Sequence, residues 1–237
     1  MGSKTSVDLD LGNATNDSTE VMGTWQYNYI KSYYFLLGYA NSKGFTNMQK
    51  ALILASKFHE GQFRKGGAKY IVHPLRVCSY LVALNLADDV LLSAALLHDV
   101  VEDNEEINKH PKMLVDEYGL SRKVLKVVLA VTKSKGLTKE QEERYYNKIK
   151  KDWRAILVKL SDRVNNLSTM QFFTPEKRLS YIEETREFVL PLCSHCKKKY
   201  SKLSNVITIM KYHITSICDT VKFMVQEQER LLKEKEQ

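Results

Sequence analysis

At 237 residues, 43% hydrophobic and 27% charged, the chain can bury the core of one domain, and no run of about 18 apolar residues marks a membrane span. Its formal charge of +8, from 36 basic and 28 acidic residues, favours anionic partners, but no zinc-finger, RNA-recognition or basic-zipper pattern points to specific nucleic-acid reading. Four cysteines without dense spacing argue against a disulfide framework and fit a reducing cytoplasm better.

The first stretch, residues 1–21, is polar and is expected to be a disordered leader or a remnant of cloning, with Met22 a natural start and residues 22–237 a single domain. From Trp25 onward the pattern is helical. NMQKALILASKFHEGQ places Leu52, Ala55, Ser56 and His59 on one face, and Gly61 can end it. FRKGGAKYI is a loop, because adjacent glycines break the period. HPLRVCSYLVALNL restarts a helix with Pro74 in its first turn, and Asp88 and Asp89 cap ADDVLLSAALLHDVVED. SRKVLKVVLAVTK, KEQEERYYNKIKK and RAILVKLSDRVNNLSTM follow as helices; the last is short and apolar enough at its start to pass for a strand, but its polar continuation decides for helix. PEKRLSYIEETREFVLPL and a long segment from Ser204 close the chain, with Val206, Ile207, Met210, Ile214, Ile217, Val221 and Met224 at helical spacing. That last helix either packs on the core or supports a homo-oligomer, and its charged final turns are expected to fray. The fold class is all-α.

The unusual segment is AALLHDVVED, where an apolar helix runs into His98, Asp99, Glu102 and Asp103. Acids near a helix C-terminus oppose the helix dipole, and burying them without a cation is costly. A neutral imidazole beside a carboxylate suits a borderline or hard divalent metal. Further donors are available: His73 stands at a loop-to-helix junction, and Asp162 follows an apolar run as His98 does, with Asn166 one turn beyond it. Each alone reads as a packed histidine or a salt-bridged acid, Asp162 with Arg163 or a nearby lysine. Together His73, His98, Asp99 and Asp162 make a candidate N2O2 ligand set. Cys193 and Cys196 form a C-x-x-C with no second pair at zinc-finger spacing, so two half-buried thiols are expected; Cys78 and Cys218 read as core.

The order HEGQxRKGGxxYIxHP, ALLHDVVED, ILVKLSDRxxNL resembles the hydrolase domain of RelA/SpoT homologues, within the HD-domain metal phosphohydrolases, from about Asn47 to Leu167 and more weakly through TPEKRLSYIEETREFVLPL. The resemblance implies an HD-domain helical bundle with a C-terminal helical extension, and a manganese ion held by His73, His98, Asp99 and Asp162. It assigns Glu102 and Asp103 to the nucleophilic water and keeps the whole HDxxED pattern, which is degraded in long homologues that only synthesise the alarmone. Arg64 and Lys65 match basic residues of the nucleotide pocket, with Lys159 a further candidate for offsetting phosphate charge. Asn166 matches a residue near the ribose, His59 a phosphate-contacting or supporting histidine, and Tyr70 a pocket-shaping residue. Asn165 replaces the histidine often found there, with little effect expected.

The implied activity is hydrolysis of guanosine 3′,5′-bis(diphosphate), or its pentaphosphate, to GDP or GTP and pyrophosphate by the hydrolase unit alone. The implied partner is a small nucleotide, with no membrane. Two alternatives stay open: another 3′-phosphorylated nucleotide, such as an adenosine alarmone or an NADPH-like dinucleotide, and a non-catalytic alarmone sensor. A generic nucleic-acid binder comes last.

Overall fold

A computed structural model describes residues 29–235, so the leader expected over residues 1–21 lies outside the described residues. The regular elements among them are helical, as expected, and the extended pairing found there is one antiparallel bridge between Phe63 and Lys69. The helices are α1 (Tyr29–Lys43), α2 (Thr46–Phe58), α3 (Val72–Ala83), α4 (Asp89–Leu97), α5 (Val100–Asp103), α6 (Glu105–Lys109) and α7 (Met113–Asp116). They continue as α8 (Arg122–Val131), α9 (Lys139–Ile149), α10 (Trp153–Leu167), α11 (Pro175–Glu184), α12 (Leu190–Lys199) and α13 (Ser204–Lys235).

Helix α4 is the centre of the bundle. Its residues from Leu91 to Leu97 are buried on every side, and α2, α3, α8 and α10 pack around it. A helix apolar all round can only exist enclosed by others. The expected continuous helix through Asp103 is interrupted: His98 and Asp99 form a turn between α4 and α5. The two residues therefore project from a helix junction rather than from a regular helix face.

The two acids before α4 divide their work. Asp88 caps α4, accepting from Leu91 N at 2.8 Å, and holds Arg154 at the start of α10 by two 2.9 Å bonds. Asp89, expected to cap the same helix, instead serves α2: it accepts from Met48 N at 2.8 Å, Asn47 N at 3.2 Å and Asn47 Nδ2 at 2.7 Å. One pair of carboxylates thus ties three helix starts together. Helix α3 stops at Ala83, short of its expected end, because Asn85 adopts a left-handed φ of 58° that an Asn tolerates.

Between α11 and α12 the helix widens into a π turn over Thr185–Val189. Pro191 cannot donate its missing N–H, so the regular ladder is broken there and the wider turn absorbs the break. Helix α13 packs on α10, α11 and α12 through Ile207, Met210, Ile214, Cys218 and Val225, and remains helical through its charged final turns to Lys235. The expected stripe shifts by one residue at its end: Val225 is buried, whereas Met224 is 59% exposed. Cys193 and Cys196 are fully buried free thiols, not half-buried ones, and burial pushes both up to about 11, which disfavours the thiolate a metal or redox role needs.

Asp89→Ala removes three hydrogen bonds at the α2 start and is expected to destabilise the fold by about 1–2 kcal/mol in urea unfolding. A loss below about 0.3 kcal/mol would show that the α2–α4 tie is not made by this carboxylate.

Candidate metal centre and its cleft

Three packed helices deliver four donors to one point. His73 enters from the first turn of α3, His98 and Asp99 from the α4–α5 junction, and Asp162 from α10. The His73 and His98 Nε2 atoms lie 3.1 Å apart. Asp99 reaches within 3.3 Å of each, through Oδ2 and Oδ1 respectively, and Asp162 Oδ1 lies 3.3 Å from His73 and 3.7 Å from His98.

The tautomers follow from the other ring nitrogens. His98 Nδ1 lies 2.8 Å from the Ala95 carbonyl oxygen, which can only accept, and His73 Nδ1 lies 2.7 Å from Asn165 Oδ1. Both Nδ1 atoms therefore donate, and both Nε2 lone pairs face each other across the centre. Two lone pairs and two carboxylates at such separations repel. A cation with ligand bonds of about 2.0–2.2 Å requires donors spaced in just this range. The donor set thus fits a divalent metal, and His73, His98 and Asp99 already cluster tightly enough to hold one. The field points the same way. Burial opposes a charged imidazole at His98, yet Asp99 and Asp162 outweigh it and push this residue up to about 9, so without a metal a proton on Nε2 takes the cation's place. Asp162 is held well below the usual carboxylate range: burial opposes this, but Lys159, His73 and His98 prevail.

Every one of the four donors has a partner behind it. Asn165 holds His73, the Ala95 carbonyl holds His98, Tyr70 donates to Asp99 Oδ2 at 2.8 Å, and Lys159 donates to Asp162 Oδ2 at 3.0 Å. Asn166 Nδ2 also donates to Asp162, and Arg64 donates to Asn166 Oδ1 at 2.8 Å. Such partners fix ligand orientation and matter nearly as much as the ligands. Asn165, at the position where a histidine is often found, is therefore part of the centre's support. Lys159 is committed to Asp162, and Tyr70 contacts a ligand directly in addition to lining the cleft.

Glu102 and Asp103 stand side by side on α5 and face different neighbours. Glu102 accepts from the backbone N–H of Lys133, and burial, with help from the charge of Asp99, pushes it up to about 7. Asp103 is exposed and feels Asp99, Tyr70 and His59. His59 is buried, stacks on Tyr70 at 4.7 Å and pairs through Nδ1 with Gln62 at 2.8 Å. Lys65 does not join the group: it is exposed, with its ammonium 5.1 Å from the Phe173 ring.

Beside the donors opens a cleft of about 280 Å³ whose lining includes Arg64, Glu102, Lys133, Lys159, Arg163 and Glu184. Glu184 Oε1 accepts from Lys133 Nζ at 3.0 Å, Arg163 at 3.1 Å and Tyr146 at 3.0 Å. Burial opposes its charge, but Arg163 and Lys133 bring it down to about 2. Arg163, adjacent to Asp162, is not its salt-bridge partner; it turns instead to Glu184 and Thr185 and lies 3.9 Å from the Tyr181 ring. Lys133, Glu184 and the role of Arg163 were not read from the sequence, because the contacts that create them join residues 51 and 21 apart.

The HD domain family profile matches residues 51–194. A Haemophilus influenzae protein named guanosine-3′,5′-bis(diphosphate) 3′-pyrophosphohydrolase is 35% identical over 163 residues, covering 64% of this chain and 24% of that one. The Escherichia coli bifunctional (p)ppGpp synthase/hydrolase SpoT is 34% identical, over 61% and 21%. A Myxococcus xanthus protein named GTP pyrophosphokinase is 34% identical, over 62% and 20%. The chain thus spans about a quarter or less of these curated relatives. Among solved structures, one described as a metazoan ortholog of SpoT that hydrolyzes ppGpp is similar with a TM-score of 0.56 and 25% identity, over 73% of this chain and 94% of that one.

Asn165→Leu, which keeps volume and removes the acceptor, is expected to weaken divalent-metal binding about 10–100-fold by calorimetry. Unchanged affinity would mean that His73 needs no help to present Nε2. Glu102 makes a second prediction, for the metal-free protein. Its folded-state value near 7 lies above the ordinary Glu value, so the native state holds the extra proton and stability falls as pH rises from about 4.5 to about 7. Glu102→Gln keeps the acceptor for Lys133 N and avoids that loss. It should match the parent at pH 4.5 and be more stable by about 2 kcal/mol at pH 8; equal stability at both would show that Glu102 is not held protonated by burial.

Proposed function

The chain belongs to the HD domain family, and from that premise we propose that it is a metal-dependent 3′-pyrophosphohydrolase of guanosine 3′,5′-bis(diphosphate), working in the cytoplasm with manganese. The observation that carries this reading is the adjacency of the four-donor centre, a carboxyl group poised near neutrality and a cleft whose wall carries Arg64, Lys133, Lys159 and Arg163 among its carboxylates. The likeness to proteins named for this hydrolysis supports it. The catalytic unit is taken as residues 22–237, which contain the whole profile match and the helix packed behind it.

His73, His98, Asp99 and Asp162 hold the metal, which supplies Lewis acidity that lowers the pKa of water and polarises a phosphoryl oxygen. Glu102 takes the proton of the attacking water, a task suited to a base that titrates near the working pH. Asp103, at the rim, orients that water or the leaving group. Water oxygen bonds to the phosphorus on the 3′ oxygen, the P–O3′ bond breaks, pyrophosphate departs, and the 3′ oxygen takes up a proton to leave GDP, or GTP where the substrate is the pentaphosphate. Arg64 is half-buried and held toward Asn166, which places its guanidinium to meet the nucleotide. Lys133 and Arg163 are tied to Glu184 on the cleft wall, so they counter phosphate charge from a fixed position. Lys65, exposed at the loop, meets a phosphate only outside the cleft. His59 supports Tyr70 from behind by stacking.

A second reading has one observation in its favour: the cleft wall is built mainly of charged groups, which recognise phosphates more than a base. It keeps the chemistry and changes the nucleotide to another 3′-phosphorylated one.

A manganese-supplemented assay with guanosine tetraphosphate, read by chromatography, is expected to yield GDP and pyrophosphate. No turnover there, with turnover of another 3′-phosphorylated nucleotide, would select the second reading; tight binding without turnover would make the protein a sensor. Asp99→Ala should lose both metal and activity. Glu102→Gln should keep the metal and lose about 100- to 10,000-fold in kcat, and full activity in that variant would remove Glu102 from the chemistry.

A further inference from the structure

The positive charge of the chain is not spread over its surface. Residues 147–154 carry three lysines and one arginine against one aspartate, and residues 193–211 carry five lysines and no acid. Their excesses of three and five equal the formal charge of +8, so the remainder of the chain is neutral in sum. The fold brings these two stretches together. His195 Nε2 lies 3.1 Å from the Lys150 carbonyl oxygen, and the Tyr200 hydroxyl donates to the Lys151 carbonyl oxygen at 3.3 Å. Lys197 and Lys211 are both close enough to Cys193 for their charges to act on its thiol. The end of α9, the start of α10, the end of α12 and the first turns of α13 therefore form one basic face.

Its eight lysines are Lys148, Lys150, Lys151, Lys197, Lys198, Lys199, Lys202 and Lys211, and among the described residues none is in an ion pair. Elsewhere on the surface Lys109, Lys139, Arg186 and Arg230 each pair with a carboxylate. The face is also remote from the metal centre. Arg154 and Asp162 lie on the same helix eight residues apart, about 12 Å along its axis, and Lys148, Lys150 and Lys151 precede Arg154 on the side away from Asp162.

We propose that this face binds the phosphate backbone of nucleic acid without regard to sequence, at a site separate from the cleft. Lysine is a compact charge on a flexible stem, which meets repeated phosphates in any register and carries no base code. The face is a convergence of helix ends, and the cavity at its edge sets Lys150 beside Glu143 and Glu187, whose carboxylates disfavour a small anion there. A bilayer surface would need inserted apolar side chains as well as lysines. In the run KKKYSK the one such candidate, Tyr200, is half-buried and bonded to Lys151, and the exposed Ile209 and Tyr212 stand beside a single lysine of the face, Lys211. The inference does not depend on which nucleotide the cleft hydrolyses.

The test is fluorescence anisotropy of a labelled 20-base-pair mixed-sequence DNA duplex with the full chain at 50–200 mM salt. With about five phosphates neutralised, log affinity should fall against log salt with a slope of about −4 to −5. The variant K151E/K198E/K199E/K202E, four exposed positions, should bind at least about 30-fold more weakly, and the same positions as Gln should fall between. The control K112E/K123E/K126E/K233E makes the same change in net charge at exposed positions elsewhere and should stay within about threefold of the parent. Equal losses in the two reversal variants, or no duplex binding by the parent, would overturn the proposal. So would lysine-dependent binding to vesicles of anionic lipid in place of the duplex.

Discussion

Two imidazole lone pairs 3.1 Å apart, flanked by two carboxylates, repel one another unless a metal ion or a proton lies among them. Much of the bundle serves to hold that repulsive arrangement in place. Helix α4 is enclosed on all sides and ends at the point where His98 and Asp99 must project. Asp88 and Asp89 fix the other end of α4 to the starts of α10 and α2. The energy of a packed core is thereby applied to four polar side chains that need a positive charge, a metal ion or a proton, to stay together.

Charge is then sorted by position. Next to the ligands, neutral amides, a phenol and one ammonium support the carboxylates and imidazoles. One helix turn on, Glu102 is buried enough to exchange a proton near neutrality, whereas Glu184 beyond it stays anionic because Arg163 and Lys133 surround it. Two half-buried glutamates in one cleft therefore have different uses. The π turn beside Pro191 brings Thr185 to Arg163, so an interrupted helix contributes to the cleft wall.

The helical class, most helix cores and the residues that make up the donor cluster were legible in the sequence, because they depend on local period and on residue types with few alternative uses. His73, His98, Asp99 and Asp162 do meet. What was not legible depends on distant partners. Asn165 looks inert beside Asn166 until α10 is laid against α3, and only then does it face His73 across 92 residues of chain. Asp89 looks like a second cap for α4, but its carboxylate reaches α2. Lys65 looks like a partner of Arg64, yet neighbours in a loop point apart, and only Arg64 lines the cleft. The break after Leu97 was hidden because the apolar pattern gives no sign of a lost hydrogen bond.

The most direct measurement is an anomalous difference map from a crystal of the protein soaked in manganese. One peak per chain is expected, about 2.2 Å from His73 Nε2, His98 Nε2 and a carboxylate oxygen of Asp99 and of Asp162. No peak there, or a peak bound by other residues, would contradict the metal centre and the chemistry that depends on it.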